Sequence, residues 1–141
     1  MVHVIFLRNR RELEEHWGEA EPLLDKCVRH AVRGEFSTED IAEMVRHGAA
    51  VIALVFEAGT AIFAAAFETV RYPSGLVCGN IMAAGGRDLS RIWLQFEAPI
   101  LEYFRRVGAQ FVECSCSPTM ERLLRRSGRW HEAYRVLRME I

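Results

Sequence analysis

The residues of this chain that could do chemistry are a glycine-rich turn, two strand-borne carboxylates and a row of arginines. The turn Ala84-Gly85-Gly86-Arg87-Asp88 stands between an apolar run over residues 76–83 and a helical pattern carrying Ile92, Trp93, Phe96, Ile100, Leu101, Phe104 and Val107. A strand passed through such a turn into a helix aims the helix's first free N–H groups at the loop, which is how proteins hold phosphates. Asp88 stands where the anion would dock, and as the residue preceding the helix it is expected to cap those N–H groups and repel phosphate. Glu68 and Glu113 lie on strand patterns and are the best-placed general bases, set against the plainer reading of carboxylates on a half-exposed strand face.

Arg122, Arg125, Arg126 and Arg129 recur at helical spacing, on one side of a final helix and opposite Leu123 and Leu124. The stripe could meet a ribose phosphate, a nucleic-acid backbone or an acidic partner surface, or simply be solvated. Glu12, Glu14, Glu15, Glu19, Glu21 and Asp25 make the first helical segment acidic. This opposed polarity suits self-association or docking with a protein partner in an assembly, an association that high salt would disperse. Nucleic acid is the weaker match, because no aromatic positions accompany the arginines.

Tyr72, Tyr103 and Tyr134 could each donate a proton, although aromatic packing accounts for all three. His3, His16, His30, His47 and His131 show no His-x-x-x-His or Cys–His spacing, so no metal is expected. Cys27, Cys78, Cys114 and Cys116 form no Cys-x-x-Cys pair and sit among apolar residues, as packing thiols do. No dinucleotide fingerprint, phosphate-loop lysine or nucleophile-elbow serine is present.

The elements that must position these groups follow from size and pattern. At 141 residues, half of them hydrophobic, the chain reads as one domain over 1–141 with a core of its own. Lys and Arg number 18 against 19 Asp and Glu, so no global field favours nucleic acid or membrane. No apolar run approaches the roughly 20 residues of a membrane span, and no secretory pattern opens the chain; a cytoplasmic or assembly-borne location is expected.

Residues 2–7 read as a buried strand, and 11–32 as helix interrupted at Pro22. Ser37-Thr38-Glu39-Asp40 caps a short helix that Gly48 closes. Residues 49–56 and 60–72 form a hairpin about Glu57-Ala58-Gly59, the second strand being long enough to bend or bulge. Pro73-Ser74-Gly75 then turns the chain into the strand at 76–83. The long helix should kink or divide near Glu97, because Pro99 lies inside it, and Gly108 ends it. Residues 110–116 return as a strand beside 76–83 through a right-handed crossover, which makes that pair parallel. Ser117-Pro118 opens the last helix, Ser127-Gly128 closes it, and alternation over 133–141 predicts a final strand.

This succession resembles, from end to end, the GNAT superfamily of acyl-CoA N-acyltransferases. The resemblance implies an α/β fold: a mixed sheet, with antiparallel N-terminal strands and a parallel pair at a central V, flanked by helices. The family often carries Asn-x-x-Ala-x-x-Leu-Tyr-x-Lys-x-Gly near its final helix. Ser117, Met120, Leu123, Leu124, Arg126 and Gly128 fall in that register. Leu124 stands at the Tyr position, commonly the general acid, and a leucine has no proton to give. The family's pyrophosphate loop, Gln/Arg-x-x-Gly-x-Gly/Ala, laid on residues 85–90 finds Asp88 at the required Gly and Ser90 at the final small residue.

The resemblance implies acetyl-CoA as cofactor if the site works, with Ala83, Gly85, Gly86, Arg87, Ser117 and Arg126 as its contacts in a shifted register, and Glu68 or Glu113 accepting the amine's proton. With Asp88 and Leu124 in those two places, the expectation is an eroded site without cofactor, in a structural or accessory protein similar to the small GNAT-like proteins of phage virions. A working N-acetyltransferase with a relocated acid is the alternative.

Overall fold

The computed structural model describes residues 2–141. β1 (Val2–Leu7), β2 (Ala50–Glu57), β3 (Thr60–Arg71), β4 (Val77–Gly86) and β5 (Phe111–Cys114) form one sheet in chain order. β1 to β4 are antiparallel neighbours; β4 and β5 run parallel, joined through α3 (Leu89–Arg106). α1 (Arg10–Ala31) and α2 (Thr38–Arg46) cover one face of the sheet, while α3 and α4 (Pro118–Leu124) cover the other. The expected mixed sheet, with antiparallel N-terminal strands, a parallel pair and flanking helices, is therefore present, and the helices lie on both faces.

The two cores follow from the alternation of the strands. On β2, Ala50, Ile52, Leu54 and Phe56 face α1 and α2, while Val51, Ala53 and Val55 face α3 and α4. A strand buried on both sides reads as a continuous apolar run, and β2 does. On β3 and β4 the sheet presents small residues under α1, Ala64, Ala66, Ala83 and Gly85, so the helix backbone can settle close to these strands. α1 starts where Asn9 accepts from the Glu12 amide at 2.9 Å. α2 starts with a reciprocal cap in which Ser37 and Asp40 each accept from the other's amide, at 3.1 and 2.8 Å.

Several boundaries differ from those read in the sequence. α1 and α3 each run as one helix through Pro22 and Pro99. In both, the carbonyl that loses its partner belongs to an exposed residue, Gly18 or Gln95, which solvent can reach. β3 is irregular, as its length suggested: its register slips against β4 between Ala66 and Phe67. β4 extends to Gly86, so Gly85 and Gly86 are strand residues opposite Ala64 and Phe63 rather than a loop. The expected final strand over 133–141 is absent, and the chain runs from Arg129 to Ile141 without regular structure. Alternation makes a segment fit to be a strand, but a ladder also needs a neighbour, and none lies alongside.

Candidate functional site

Two features meet where β4 and β5 separate. The last paired residues are Ile81 and Cys114; beyond them β4 continues to Gly86 while β5 ends and its continuation turns away through Ser115 to α4. The N-terminus of α3 stands at the far end of β4. Across the sheet, just before the strands part, Glu68 on β3, Asn80 on β4 and Glu113 on β5 are register neighbours on one face.

At the α3 end, Asp88 departs from expectation. It is the N-cap residue, held in the left-handed region (φ 53°, ψ 48°), yet its carboxylate makes no capping bond. It turns instead to Arg91 Nε at 2.7 Å, and the Arg91 guanidinium also binds Glu57 at 2.9 and 3.1 Å. The bidentate Arg–Glu57 pair outcompetes the cap and draws Asp88 off the helix axis. Two carboxylates at this distance hold the Arg91 guanidinium firmly protonated, and Arg91 in turn lowers Glu57 below the usual carboxylate range. The amides of Leu89 and Ser90 are left without a protein acceptor among the described residues.

The neighbouring glycines serve another purpose than the one expected. A Cβ on Gly85 would meet the Leu23 carbonyl oxygen of α1, and one on Gly86 would lie 2.7 Å from Phe63 Cα. The Arg87 amide donates to Ile62 O at 2.9 Å and so closes the strand ladder. Ala83 is buried under α1. Of the six positions implied for cofactor contact, Ala83, Gly85, Gly86 and Arg87 lie along the end of β4, with only the Arg87 side chain reaching solvent freely. Ser117 caps α4, accepting from the Met120 amide at 3.3 Å. Arg126 is exposed in the 3-10 turn Arg125–Ser127.

At the carboxylate row, Asn80 Nδ2 donates to Glu68 Oε1 at 3.0 Å. Cys78 Sγ lies 4.0 Å from Glu113 Oε1, and Tyr72, at the end of β3, feels the charge of both. The acidic neighbours Cys78 and Glu113 push the Tyr72 phenol up, so it keeps its proton. Structure thus brings both candidate bases to one strip and adds a phenol. Tyr103 is elsewhere, stacked on Phe6 at 4.8 Å, whereas Tyr134 lines the cleft described next. Leu124, at the family's Tyr position, is buried against α3.

Outside β5 lies a cleft of about 910 Å³, bounded by residues 111–116, by Glu121 and Leu124 of α4, and by residues 129–137. Its floor includes Asn80 and Glu113. Its inner wall holds a residue that sequence reading passed over. Glu97, with a side chain only 7% exposed, accepts from Trp93 Nε1 at 2.8 Å and from Trp130 Nε1 at 2.9 Å, both on Oε2. The available signal was a carboxylate falling on the apolar stripe of α3 together with Trp93, Ile100 and Phe104.

The arginine stripe is not one face of one helix, because α4 ends at Leu124 and Arg129 lies beyond Gly128. Arg125 pairs with Glu121 at 2.8 Å, and Arg129 approaches Glu97 at 3.9 Å.

Burial pushes the Cys114 thiol up to about 12, and burial also raises Cys78 and Cys116. At pH 8 the Cys114 thiolate fraction is then on the order of one in ten thousand. Peptide mass spectrometry after brief maleimide treatment of the native protein should find Cys114 unmodified, and denaturation should restore labelling. Rapid native labelling at Cys114 would show that the site is more open than described.

No family model and no curated protein matches the sequence. Solved structures do. A Trypanosoma brucei acetyltransferase superposes with a TM-score of 0.70 at 15% identity, covering 100% of both chains. Ribosomal-protein-alanine N-acetyltransferase from Brucella melitensis biovar Abortus 2308 reaches 0.75 at 13% identity, over 100% of this chain and 99% of that one. AAC(6')-Iy in complex with the bisubstrate analog CoA-S-monomethyl-acetylneamine gives 0.72 at 16% identity, over 100% and 98%. Strand order, the parallel β4–β5 pair and these superpositions agree, and the chain has the GNAT acetyltransferase fold.

Proposed function

We propose that this protein is an acetyl-CoA-dependent N-acetyltransferase with an unusual cofactor loop. The observation that carries the reading is the orientation of Asp88: with its carboxylate on Arg91, the amides of Leu89 and Ser90 at the start of α3 have no acceptor among the described residues. The amides of Leu89 and Ser90, the Ser90 hydroxyl and the exposed Arg87 side chain form a donor set that suits a pyrophosphate. AAC(6')-Iy, a neighbour in fold, has been crystallised with CoA. When bound, acetyl-CoA would supply an acyl group activated as a thioester.

The chain's own residues then divide the proton work. Glu113, half-buried and without a salt-bridge partner among the described residues, accepts a proton from an amine entering by the cleft. Asn80 fixes Glu68 beside it. Tyr72, whose phenol keeps its proton, is the residue we assign to the role that Leu124 cannot fill.

A second reading has its own support. Gly85 and Gly86 are committed to packing, and Arg91 is neutralised by Glu57 and Asp88, so the loop offers little net positive charge. On that reading the protein keeps the fold without the cofactor, as a structural or accessory protein of the phage-virion type.

Thermal shift separates the two. Acetyl-CoA at about one hundred times its dissociation constant adds roughly 2.7 kcal/mol, which for a chain of this size raises the midpoint by about 10 °C. Thiol release in the presence of amines should accompany the shift, and Glu113→Gln should lower kcat by about a hundredfold or more while leaving the shift intact. No shift at millimolar acetyl-CoA would favour the scaffold.

A further inference from the structure

Asn9, Ser37 and Ser117 precede α1, α2 and α4 in extended backbone, with φ of −151°, −101° and −71°, and the side chain of each accepts from the amide three residues on. Asp88 holds the same place before α3 with φ 53° and makes no such bond. Aspartate caps as well as asparagine or serine does, and left-handed backbone is costly for a residue that carries a Cβ. Asp88 thus forgoes a bond and accepts strain at once.

What offsets both lies on another element. Glu57 ends β2 and grips the Arg91 guanidinium at 2.9 and 3.1 Å, leaving Nε to meet Asp88 at 2.7 Å. Glu57 is itself fixed in place. The turn that follows it, Ala58-Gly59, has positive φ at both residues, 51° and 80°, the tight two-residue form that pairs Glu57 with Thr60. Without Glu57, Asp88 would keep a single i,i+3 bond to an arginine that is 42% exposed and free to move, and such a bond is weaker than a side-chain cap. The Ser90 amide, without an acceptor among the described residues, is the second of the helix and a standard partner for a capping carboxylate.

We propose that the start of α3 has two states and that Glu57 decides between them. In the open state Glu57 holds Arg91, and Arg91 holds Asp88 away from the amides. In the closed state Asp88 relaxes to extended backbone and accepts from the Ser90 amide. A carboxylate in that place occupies a donor that a phosphate needs, and repels the phosphate. Glu57 is then a positioning residue, acting on a ligand it does not touch through Arg91 and Asp88. The two states do not depend on the acetyltransferase reading; their effect on acetyl-CoA rests on it. The competing expectation has the opposite sign, because an Arg91 freed from Glu57 would offer its charge to a phosphate and strengthen binding.

Amide exchange in the ligand-free protein and calorimetric titration with acetyl-CoA read the same balance. In Glu57→Ala the Ser90 amide should exchange about tenfold more slowly than in the wild type, and the acetyl-CoA dissociation constant should rise about tenfold, since rate and affinity both follow the fraction of open molecules. Glu57→Gln, which can still accept from Arg91, should fall between. Adding Asp88→Ala to Glu57→Ala should restore fast exchange and return the affinity to that of Asp88→Ala alone. Unchanged Ser90 exchange in Glu57→Ala would overturn the proposal, as would slow exchange that persists in the double variant or tighter acetyl-CoA binding by Glu57→Ala. If exchange responds as expected while no variant binds acetyl-CoA, the two states stand and the acetyltransferase reading fails. If every variant binds acetyl-CoA alike and exchange does not change, that reading stands and the proposal fails.

Discussion

Glu97→Ala should lower the melting midpoint by roughly 10 °C, although a glutamate in mid-helix is ordinarily dispensable. Its Oε2 is the acceptor for two indoles that come from sites far apart in the chain: Trp93 one turn earlier, and Trp130 after α4. Removing the carboxylate leaves the fully buried Trp93 N–H without a partner and frees Trp130, which is half-buried and can reach water. An unsatisfied buried donor costs about 1–3 kcal/mol, and bonds to a charged acceptor lie at the upper end of the usual range. The loss should total about 3 kcal/mol. Glu97→Gln keeps an oxygen in place and should lose only about 1 kcal/mol, because one carbonyl can still accept both indoles. Glu102→Ala, which breaks only exposed ion pairs on the same helix, should change stability by less than about 1 kcal/mol. Calorimetric melts of the three variants check the ranking. If Glu97→Ala melts with Glu102→Ala, the two indole bonds hold nothing together.

Gly86→Ala should be damaging in a different way and reveals what the glycine pair is for. Gly86 has φ +153°, and a Cβ there would press on the Ile62 carbonyl oxygen and lie 2.7 Å from Phe63 Cα. Backbone on a central strand cannot step aside as a flexible side chain would. Overpacking of about 1–3 kcal/mol adds to a disfavoured backbone conformation of similar size, a large share of the 5–15 kcal/mol that stabilises a domain. The expected loss is about 3–5 kcal/mol in the ligand-free protein, read by urea denaturation. Gly18→Ala is the contrast: Gly18 lies within α1 with nothing near its Cβ position, and the change should stabilise by about 0.5–1 kcal/mol. A ligand-free Gly86→Ala protein as stable as the wild type, but deaf to acetyl-CoA, would return the glycine to the role expected from the sequence.

The contrast between these residues explains how far the sequence could be read. Strands and helices were legible because their cause is local. A run such as residues 50–56 is apolar throughout because it is buried on both faces, and Ser37 with Asp40 makes a cap within four residues. The parallel pair was legible too, since a strand, a long helix and a second strand leave little choice of connection. Boundaries failed where a distant group intervenes. Gly85 looks like a turn residue until the Leu23 carbonyl of α1 is placed over it. Asp88 has the composition of a cap, but Glu57 holds Arg91, and Arg91 takes Asp88 away.

The candidate site divides along the same line. Glu68 and Glu113 were identifiable as strand carboxylates, whereas Asn80 between them, Tyr72 beside them and Glu97 behind the cleft depend on register and packing. From its order of residues alone this protein determines a mixed sheet flanked by helices, because burial alternates at periods that each segment carries within itself. Only the folded chain decides which amides stay open, which carboxylates meet, and whether 133–141 finds a strand to lie against. Those outcomes turn on groups thirty or more residues apart, and no local pattern encodes the distance between them.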